Sequence, residues 1–265
     1  MKLSRLVLAV TLGLSATSVY SHEFWIEPQK FQVENGEIME IYLKNGQNFV
    51  GSELSYFEKQ FSRFELAQGD VLTPAQGRSG DQPALTTSVD QDGLLVVLHE
   101  TTPTTLKYTE WAKFAKFAAH KNFLNAEADH KAAGWPSENF RESYTRHVKA
   151  LIAVGSGDGA DQNYGMETEF VALANPYDDG FDGNMQVQLF FENMPRPNTQ
   201  VEVFERAPDQ TVSISLHRTD DNGIAQIPVK PAHTYLLDAV VLQPYTNDDK
   251  AVWQTLWAAL TFQVP

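Results

Sequence analysis

The strongest constraint on the fold is an alternation of apolar and polar residues in the last hundred positions. Apolar side chains occupy every second position of Met185–Leu189 and again of Val212–Leu216. Because successive side chains of a strand point to opposite faces, this period of two predicts half-buried β-strands. Similar strand patterns follow at Ile224–Val229, Thr234–Leu242 and Trp257–Val264. Residues 167–265 are therefore predicted to form a C-terminal antiparallel β-sandwich.

Residues 22–166 are predicted to form a second, N-terminal β-rich domain, so that the fold class is mainly β with two sandwich domains. Short apolar runs such as Leu94–Leu98 alternate with glycines, which is typical of strands and turns. Helical spacing of Trp111, Phe114 and Phe117, with Thr109 as a candidate N-cap, predicts a helical insertion near 109–133. Residues 140–154 fit a helix or a strand, and we favour a strand that returns to the first domain.

The first residues have the pattern of a cleavable export signal. Lys2 and Arg5 precede the apolar run Leu6–Ala16, which is too short to span a bilayer. Cleavage after Ser21 would remove a signal peptide of residues 1–21 and make His22 the first residue of the mature protein. A competing cut after Ser18 would leave His22 internal. We expect an exported protein of 244 residues.

Composition limits the possible chemistry. The chain has no cysteine, which excludes disulfides, thiolate metal sites and a cysteine nucleophile. The formal net charge of −14 would fall by two with the loss of Lys2 and Arg5, and such an acidic chain repels phosphate backbones. We therefore expect no nucleic-acid partner and no membrane insertion of the mature chain. Serine-hydrolase elbows and phosphate-binding loops are absent, and we predict that the protein is not an enzyme.

His22 is the candidate metal ligand. As a first residue it would offer an α-amine and an imidazole to one ion, a chelate that no internal histidine can make alone. Cu²⁺, Ni²⁺ and Co²⁺ bind such nitrogen sites tightly. Phe24, Trp25 and Ile26 would anchor the terminus, and Glu23 or another histidine could complete the coordination. The alternative is an exposed histidine beside an export cut.

The other histidines give weaker signals. None lies in a His-x-His or His-Glu-x-x-His pattern, and His99, His147 and His233 remain unranked candidates for further ligands. The stretch Glu127-Ala-Asp-His130 has the spacing used in di-iron bundles, but that chemistry needs two copies. Only one copy is present, so a helix surface is the favoured interpretation.

Two acidic stretches suggest calcium at first sight. Asp158 with Asp161, and Asp178 and Asp179 with Asp182, do not match the spaced twelve-residue calcium loop. We interpret the first as part of a linker at a domain boundary and the second as a turn.

Seven segments are distributed over the whole expected mature chain: His22–Pro28, Leu43–Leu54, Tyr108–Phe114, Arg141–Leu151, Asn175–Tyr177, Thr219–Gly223 and Trp253–Phe262. Together they resemble one bacterial periplasmic family of unknown function, which is commonly labelled as the periplasmic component of an ABC-type cobalt or nickel transport system. Of these residues, only His22 corresponds to a family position with an obvious ligand role. The C-terminal domain is also similar to prealbumin-like or immunoglobulin-like modules.

The resemblance implies a periplasmic metal-binding protein that serves nickel or cobalt uptake, with a membrane transporter as a possible partner. Copper is a possible alternative ion. Two other functions stay open. One is a non-catalytic interaction or scaffold module, because fold alone does not give function. The other is a copper oxidase with an amino-terminal histidine brace, which would need a second histidine at the metal.

Overall fold

The computed structural model describes residues 22–245 and 251–265, so the expected signal peptide, residues 1–21, lies outside the described residues. The strands of the first half are β1 Glu23–Pro28, β2 Gln32–Val33, β3 Met39–Gln47, β4 Val50–Leu54, β5 Phe61–Gln68, β6 Val71–Pro74, β7 Leu85–Thr87, β8 Gly93–Thr101, β9 Thr104–Tyr108 and β10 Phe140–Val154. Two helices, α1 Trp111–His120 and α2 Ala126–Ala132, separate β9 from β10, and a short 3-10 turn spans Glu58–Gln60. The second half adds β11 Thr168–Ala172, β12 Asn184–Phe191, β13 Met194–Pro195, β14 Gln200–Arg206, β15 Val212–Arg218, β16 Ile224–Pro228, β17 Thr234–Pro244 and β18 Trp253–Gln263.

The strands form three sheets in three layers. The ten-stranded central sheet has the order β15-β14-β17-β18-β10-β8-β5-β6, with β2 and β9 also paired to β10. The N-terminal sheet contains β1, β3, β4 and β7, and the C-terminal sheet contains β11, β12, β13 and β16. Each smaller sheet packs against one face of the central sheet, which gives two separate hydrophobic cores.

The alternation along β10 shows how one strand serves both cores. Val148, Ala150 and Ile152 lie in the core beneath the N-terminal sheet, whereas Leu151 lies in the core beneath the C-terminal sheet. Since successive side chains point to opposite faces, even-numbered residues of β10 face the first layer and odd-numbered residues the other. A strand that is buried on both faces shows a nearly continuous run of apolar residues instead of an alternation. Such a run does not distinguish a strand from a helix, which is why residues 140–154 also fitted a helix.

The sequence prediction of a mainly β fold is confirmed, and residues 140–154 form the strand that we favoured. This strand pairs parallel to β18, for example Arg146 with Trp257, and antiparallel to β8 and β9. The central sheet therefore contains strands from both predicted domains. The boundary at residues 166–167 stays a prediction.

The predicted helical insertion is present as α1 and α2. Both helices pack on the central sheet beside the N-terminal sheet, with Phe114 stacked on Trp253 at 5.6 Å and Phe117 stacked on Trp257 at 5.7 Å between ring centroids. The prediction of Thr109 as N-cap is wrong. Glu110 occupies that position in an extended conformation and its side chain makes no capping hydrogen bond, so packing rather than capping stabilises α1.

In the part of the chain that the structure describes, neither helix has the length and apolar character needed to cross a bilayer.

Candidate functional site

Strand β1 begins immediately after His22 and holds it at the edge of a rigid layer. The side chains of residues 23–26 are buried, whereas His22 is exposed. The Arg146 guanidinium donates a hydrogen bond from Nη2 to the His22 carbonyl oxygen at 2.7 Å. Among the described residues, the His22 imidazole has no hydrogen-bond or ion-pair partner. The backbone at His22 is thus fixed while its ring is available.

The next two residues of β1 line two different cavities. Glu23 lines a cavity of about 330 Å³, the acidic cavity, between helix α1, the N-terminal sheet and strands β14 and β15. Phe24 lines a cavity of about 270 Å³, the Arg146 cavity, between the N-terminal sheet and the ends of β8 and β10. The strand alternation therefore places one acidic and one aromatic side chain in separate environments beside His22.

A network of charged side chains forms one wall of the acidic cavity. Lys121 follows the last turn of α1, and its Nζ lies 2.6 Å from Glu202 Oε2 and 2.6 Å from Asp238 Oδ2. His120 Nε2 lies 3.0 Å from Glu202 Oε1. All of these groups except His120 are almost fully buried, and Asp238 lies beneath them on β17. One ammonium group thus bridges two carboxylates taken from neighbouring strands.

These surroundings shift the acids in opposite directions. Burial, with a smaller contribution from the charge of Asp238, raises the pKa of Glu23 to about 7. Burial would also raise the pKa of Glu202, but the hydrogen bond from His120 and the charge of Lys121 lower it to about 2. The bond to Glu202 raises the pKa of His120 above its ordinary value. Near neutral pH, Glu202 is therefore ionised while Glu23 is partly protonated.

The Arg146 cavity has a different chemistry. Its described lining contains one charged side chain, Arg146, and no carboxylate; the other residues are Phe24, Leu43, Asn45, Leu54, Ser55, Phe57, Gln60, Phe61, His99, Thr101, Thr102, Thr104 and Tyr144. The Arg146 guanidinium lies 4.0 Å from the ring centroid of Trp257 and 5.2 Å from that of Tyr144. Two of its nitrogen atoms, Nε and Nη1, have no hydrogen-bond partner among the described residues.

The three further candidate ligands occupy different places. His99 lies on the Arg146 cavity, where its ring packs 5.4 Å from Phe24 and 5.1 Å from Phe64, and burial lowers its pKa to about 3. His147 is an odd-numbered residue of β10 and so faces the C-terminal sheet, opposite to Arg146. His233 lies in the turn before β17. Along that strand it is seven residues, or roughly 23 Å, from Val240, which pairs with Trp257 of β18. Trp257 in turn pairs with Arg146, the residue that bonds to His22.

His130 is a structural residue rather than a helix-surface one. It is buried, its Nδ1 accepts a hydrogen bond of 3.0 Å from Trp253 Nε1, and its Nε2 lies 3.0 Å from the Pro136 carbonyl oxygen. The prediction that the Glu127-Ala-Asp-His130 face is exposed is thus wrong for His130. The ring fills an aromatic cluster because Trp111, Phe140 and Trp253 surround it.

Aspartates of the two acidic stretches form an ion pair and hydrogen bonds within the fold. Asp161 Oδ1 pairs with the buried Lys149 Nζ at 2.6 Å, and Asp161 Oδ2 accepts the backbone N–H of Ala172. Asp182 accepts the backbone N–H of Asn184 in a turn, and Asp178 accepts a hydrogen bond from Asn175. Asp161 therefore joins two layers of the fold through an ion pair, in addition to lying in the predicted linker.

No group of three or more His, Asp or Glu side chains among residues 22–245 and 251–265 is arranged to hold a metal ion. A metal at His22 would have to use the terminal amine, the imidazole, backbone groups and water, with at most one more side chain such as Glu23. This ligand set suits metal ions that bind nitrogen ligands and need few protein side chains.

Sequence reasoning did not find Arg146, Lys121, Glu202 or Asp238. Asp238 is the one that the sequence could have flagged, because it interrupts the apolar run Leu236–Leu242 and charges are buried only when they are paired or used. Glu202, between Val201 and Val203, fits the exposed position of an alternating strand, so the pattern gives no signal that it is buried.

Comparisons with known proteins give a family and little more. The model of a family described as a domain of unknown function, DUF4198, matches residues 19–243. No curated protein matches the chain. A solved structure titled "D0-D1 domain of Intimin" is similar over 90% of this chain and 97% of its own, with 12% sequence identity and a TM-score of 0.23.

Proposed function

We propose that this protein, which belongs to the DUF4198 family of domains of unknown function, is an exported, non-catalytic metal-binding protein that carries nickel or cobalt at His22. Copper is the alternative ion. In this proposal the protein acts in the periplasm and passes the ion to a membrane transporter.

The observation that carries the proposal is the contrast between the fixed backbone and the available ring at His22. The Arg146 hydrogen bond and the buried strand β1 hold the residue in place, while its imidazole has no partner among the described residues. After cleavage at Ser21, the amine and Nδ1 would close a chelate ring on one ion. A preorganised terminus loses little entropy on binding, which raises the affinity of such a small site.

The acidic cavity, on the Glu23 side of β1, adds negative charge near the terminus and so favours a cation there. Glu23 follows His22 directly, and Glu202 and Asp238 bring two more acids near, with Lys121 between them. Since Glu23 has a pKa of about 7, an approaching cation would favour its ionised form and release a proton.

The test is a calorimetric titration of the metal-free exported protein with Ni²⁺, Co²⁺ and Cu²⁺. We expect His22→Ala to lose at least tenfold in affinity, about 1.4 kcal/mol, because it removes the ring from the chelate. His217→Ala is the matched control, since His217 lies on the outer strand β15 and hydrogen-bonds to Ser215 and Gln226. Equal affinities of the His22 and His217 variants would contradict the proposal.

A copper histidine brace is the less favoured alternative, and it depends on a second histidine. His99 is the one candidate that shares the Phe24 side of β1. If His99→Ala lowers copper affinity as much as His22→Ala does, the brace gains support; unchanged affinity supports binding by the terminus alone.

An interaction module is the second alternative. Strand β15 is an edge of the central sheet and exposes Ile214 and Leu216, which are 45% and 61% accessible. Absence of metal binding in both the native and variant proteins would favour this function.

A further inference from the structure

We propose that the Arg146 cavity binds a small organic carboxylate with an apolar body. The proposal concerns a different side of β1 from the acidic cavity and does not depend on a metal at His22.

The first argument is the state of Arg146. The residue is 5% exposed, and its guanidinium makes one hydrogen bond, from Nη2 to the His22 carbonyl, among the described residues. Its Nε and Nη1 are buried without partners, and no carboxylate is hydrogen-bonded to it. A buried cation with unmade hydrogen bonds is costly unless a ligand completes it. A carboxylate is the group that matches the planar fork of donors on arginine.

The second argument is the composition of the walls. The remaining side chains of the cavity are apolar, aromatic or neutral, and the acids whose charges act on Arg146, namely Asp238, Glu142 and Glu23, lie outside this lining. His99 adds a third unpartnered polar atom, Nδ1, from strand β8. The hydroxyls of Thr101, Thr102 and Thr104 lie along one side, while Phe24, Leu43 and Phe61 supply apolar surface.

The third argument is size. A volume of about 270 Å³ lies just below the roughly 300–1,000 Å³ that is usual for ligand pockets, so the ligand should be small. A single ring or a short alkyl chain with one carboxylate fits these limits. The charge anchors one end at Arg146 and the apolar walls accept the other end.

The experiment compares two probes of the same shape, benzoate and benzamide, by calorimetry on the full exported protein in the presence of a metal chelator. We expect benzoate to bind at millimolar concentration or better, and benzamide to bind at least tenfold more weakly because it lacks the charge. The chelator removes any metal from the terminus, so the result is separate from the test of His22.

Two variants locate the binding. Phe57 is 42% exposed on the cavity wall, so Phe57→Glu should fold normally while placing a negative charge beside the ligand. We expect it to weaken benzoate binding at least tenfold, whereas Val50→Glu, an exposed position that does not line the cavity, should leave it unchanged.

Arg146→Gln should abolish binding. Its control is Arg196→Gln, because Arg196 also bonds to a backbone carbonyl and has an unpartnered Nη1 but does not line this cavity.

If Arg146→Gln fails to fold, Phe57→Glu still decides the matter. The proposal is overturned if benzoate does not bind at millimolar concentration, if benzamide binds equally well, or if benzoate binds the folded Phe57→Glu protein as it binds the parent.

Discussion

Glu23 is a carboxylic acid buried beside two other acids, in a strand whose pattern otherwise calls for an apolar side chain. It is 5% exposed, and its Oε2 accepts a long hydrogen bond of 3.2 Å from the Asn48 backbone. Burial therefore favours the neutral form and raises its pKa to about 7. For an acid whose pKa is higher in the folded state, the folded protein binds the extra proton, and the free energy of unfolding falls as the pH rises.

The fall in the free energy of unfolding with rising pH predicts how Glu23→Gln will differ from the parent. Below pH 4.5, the ordinary value of a glutamate, Glu23 is protonated in both states; between there and about pH 7 the unfolded form ionises first and the native protein loses stability. The variant cannot titrate, so we expect it to exceed the parent by about 3 kcal/mol above pH 7 and to match it near pH 4.5. Urea unfolding across this pH range measures the difference. Glu58→Gln, at an exposed position, is the control, and parallel stability curves for Glu23→Gln and the parent would contradict the prediction.

Contacts between single residues were the features least predictable from the sequence. His22 could be proposed as a candidate from local spacing, because the predicted export cut and the histidine after it are features of adjacent residues. The charged network around Lys121 could not, since Lys121 follows α1 while Glu202 and Asp238 lie on β14 and β17, distant in the chain. Which charges meet in the interior depends on strand order, and the sequence pattern does not contain that order.

At the scale of elements, the short helix α1 shows that packing decides where local signals are weak. It has no side-chain N-cap bond, yet Phe114 and Phe117 are buried against tryptophans of β18. Its apolar spacing was enough to predict the helix from sequence. The identity of the strand beneath it was not predictable, because Trp253 and Trp257 lie more than a hundred residues further along the chain.

We predict that Phe114→Ala lowers the free energy of unfolding by about 3–5 kcal/mol, since it opens a cavity among five rings. Those rings are Tyr108, Trp111, Phe117, Phe140 and Trp253. Lys116→Ala, on the exposed face of the same helix, should change stability by no more than about 0.5 kcal/mol. Chemical denaturation compares the two, and a similar small loss in both would show that α1 contributes little to the fold.

For the whole molecule, the shared central sheet has consequences for cooperativity. Strand β18, from the end of the chain, lies between β17 and β10, so the two halves share backbone hydrogen bonds and side chains of one sheet. The sequence predicted the β class from alternation, but it could not reveal that one sheet crosses the predicted boundary. Parallel pairing of β10 with β18 leaves no local turn signal, because parallel strands need a long connection.

We therefore expect a single calorimetric unfolding transition. Ile41→Ala in the N-terminal sheet and Leu189→Ala in the C-terminal sheet both remove buried side chains, and both should lower the same transition temperature. Two transitions, each moved by one variant alone, would instead show that the halves unfold independently.

The terminal chelate can be tested by adding one glycine ahead of His22. The extended protein keeps the imidazole, the Arg146 hydrogen bond and both cavities, but it moves the free amine away from the ring. After intact-mass analysis has verified that the native form begins at His22, both forms are titrated with Ni²⁺, Co²⁺ and Cu²⁺. Binding through amine and imidazole predicts at least a tenfold loss in the extended form, about 1.4 kcal/mol, and weaker binding of the native form at lower pH, because the ligands have to be deprotonated. Equal affinity of the native and extended forms would contradict metal binding by the terminus of His22.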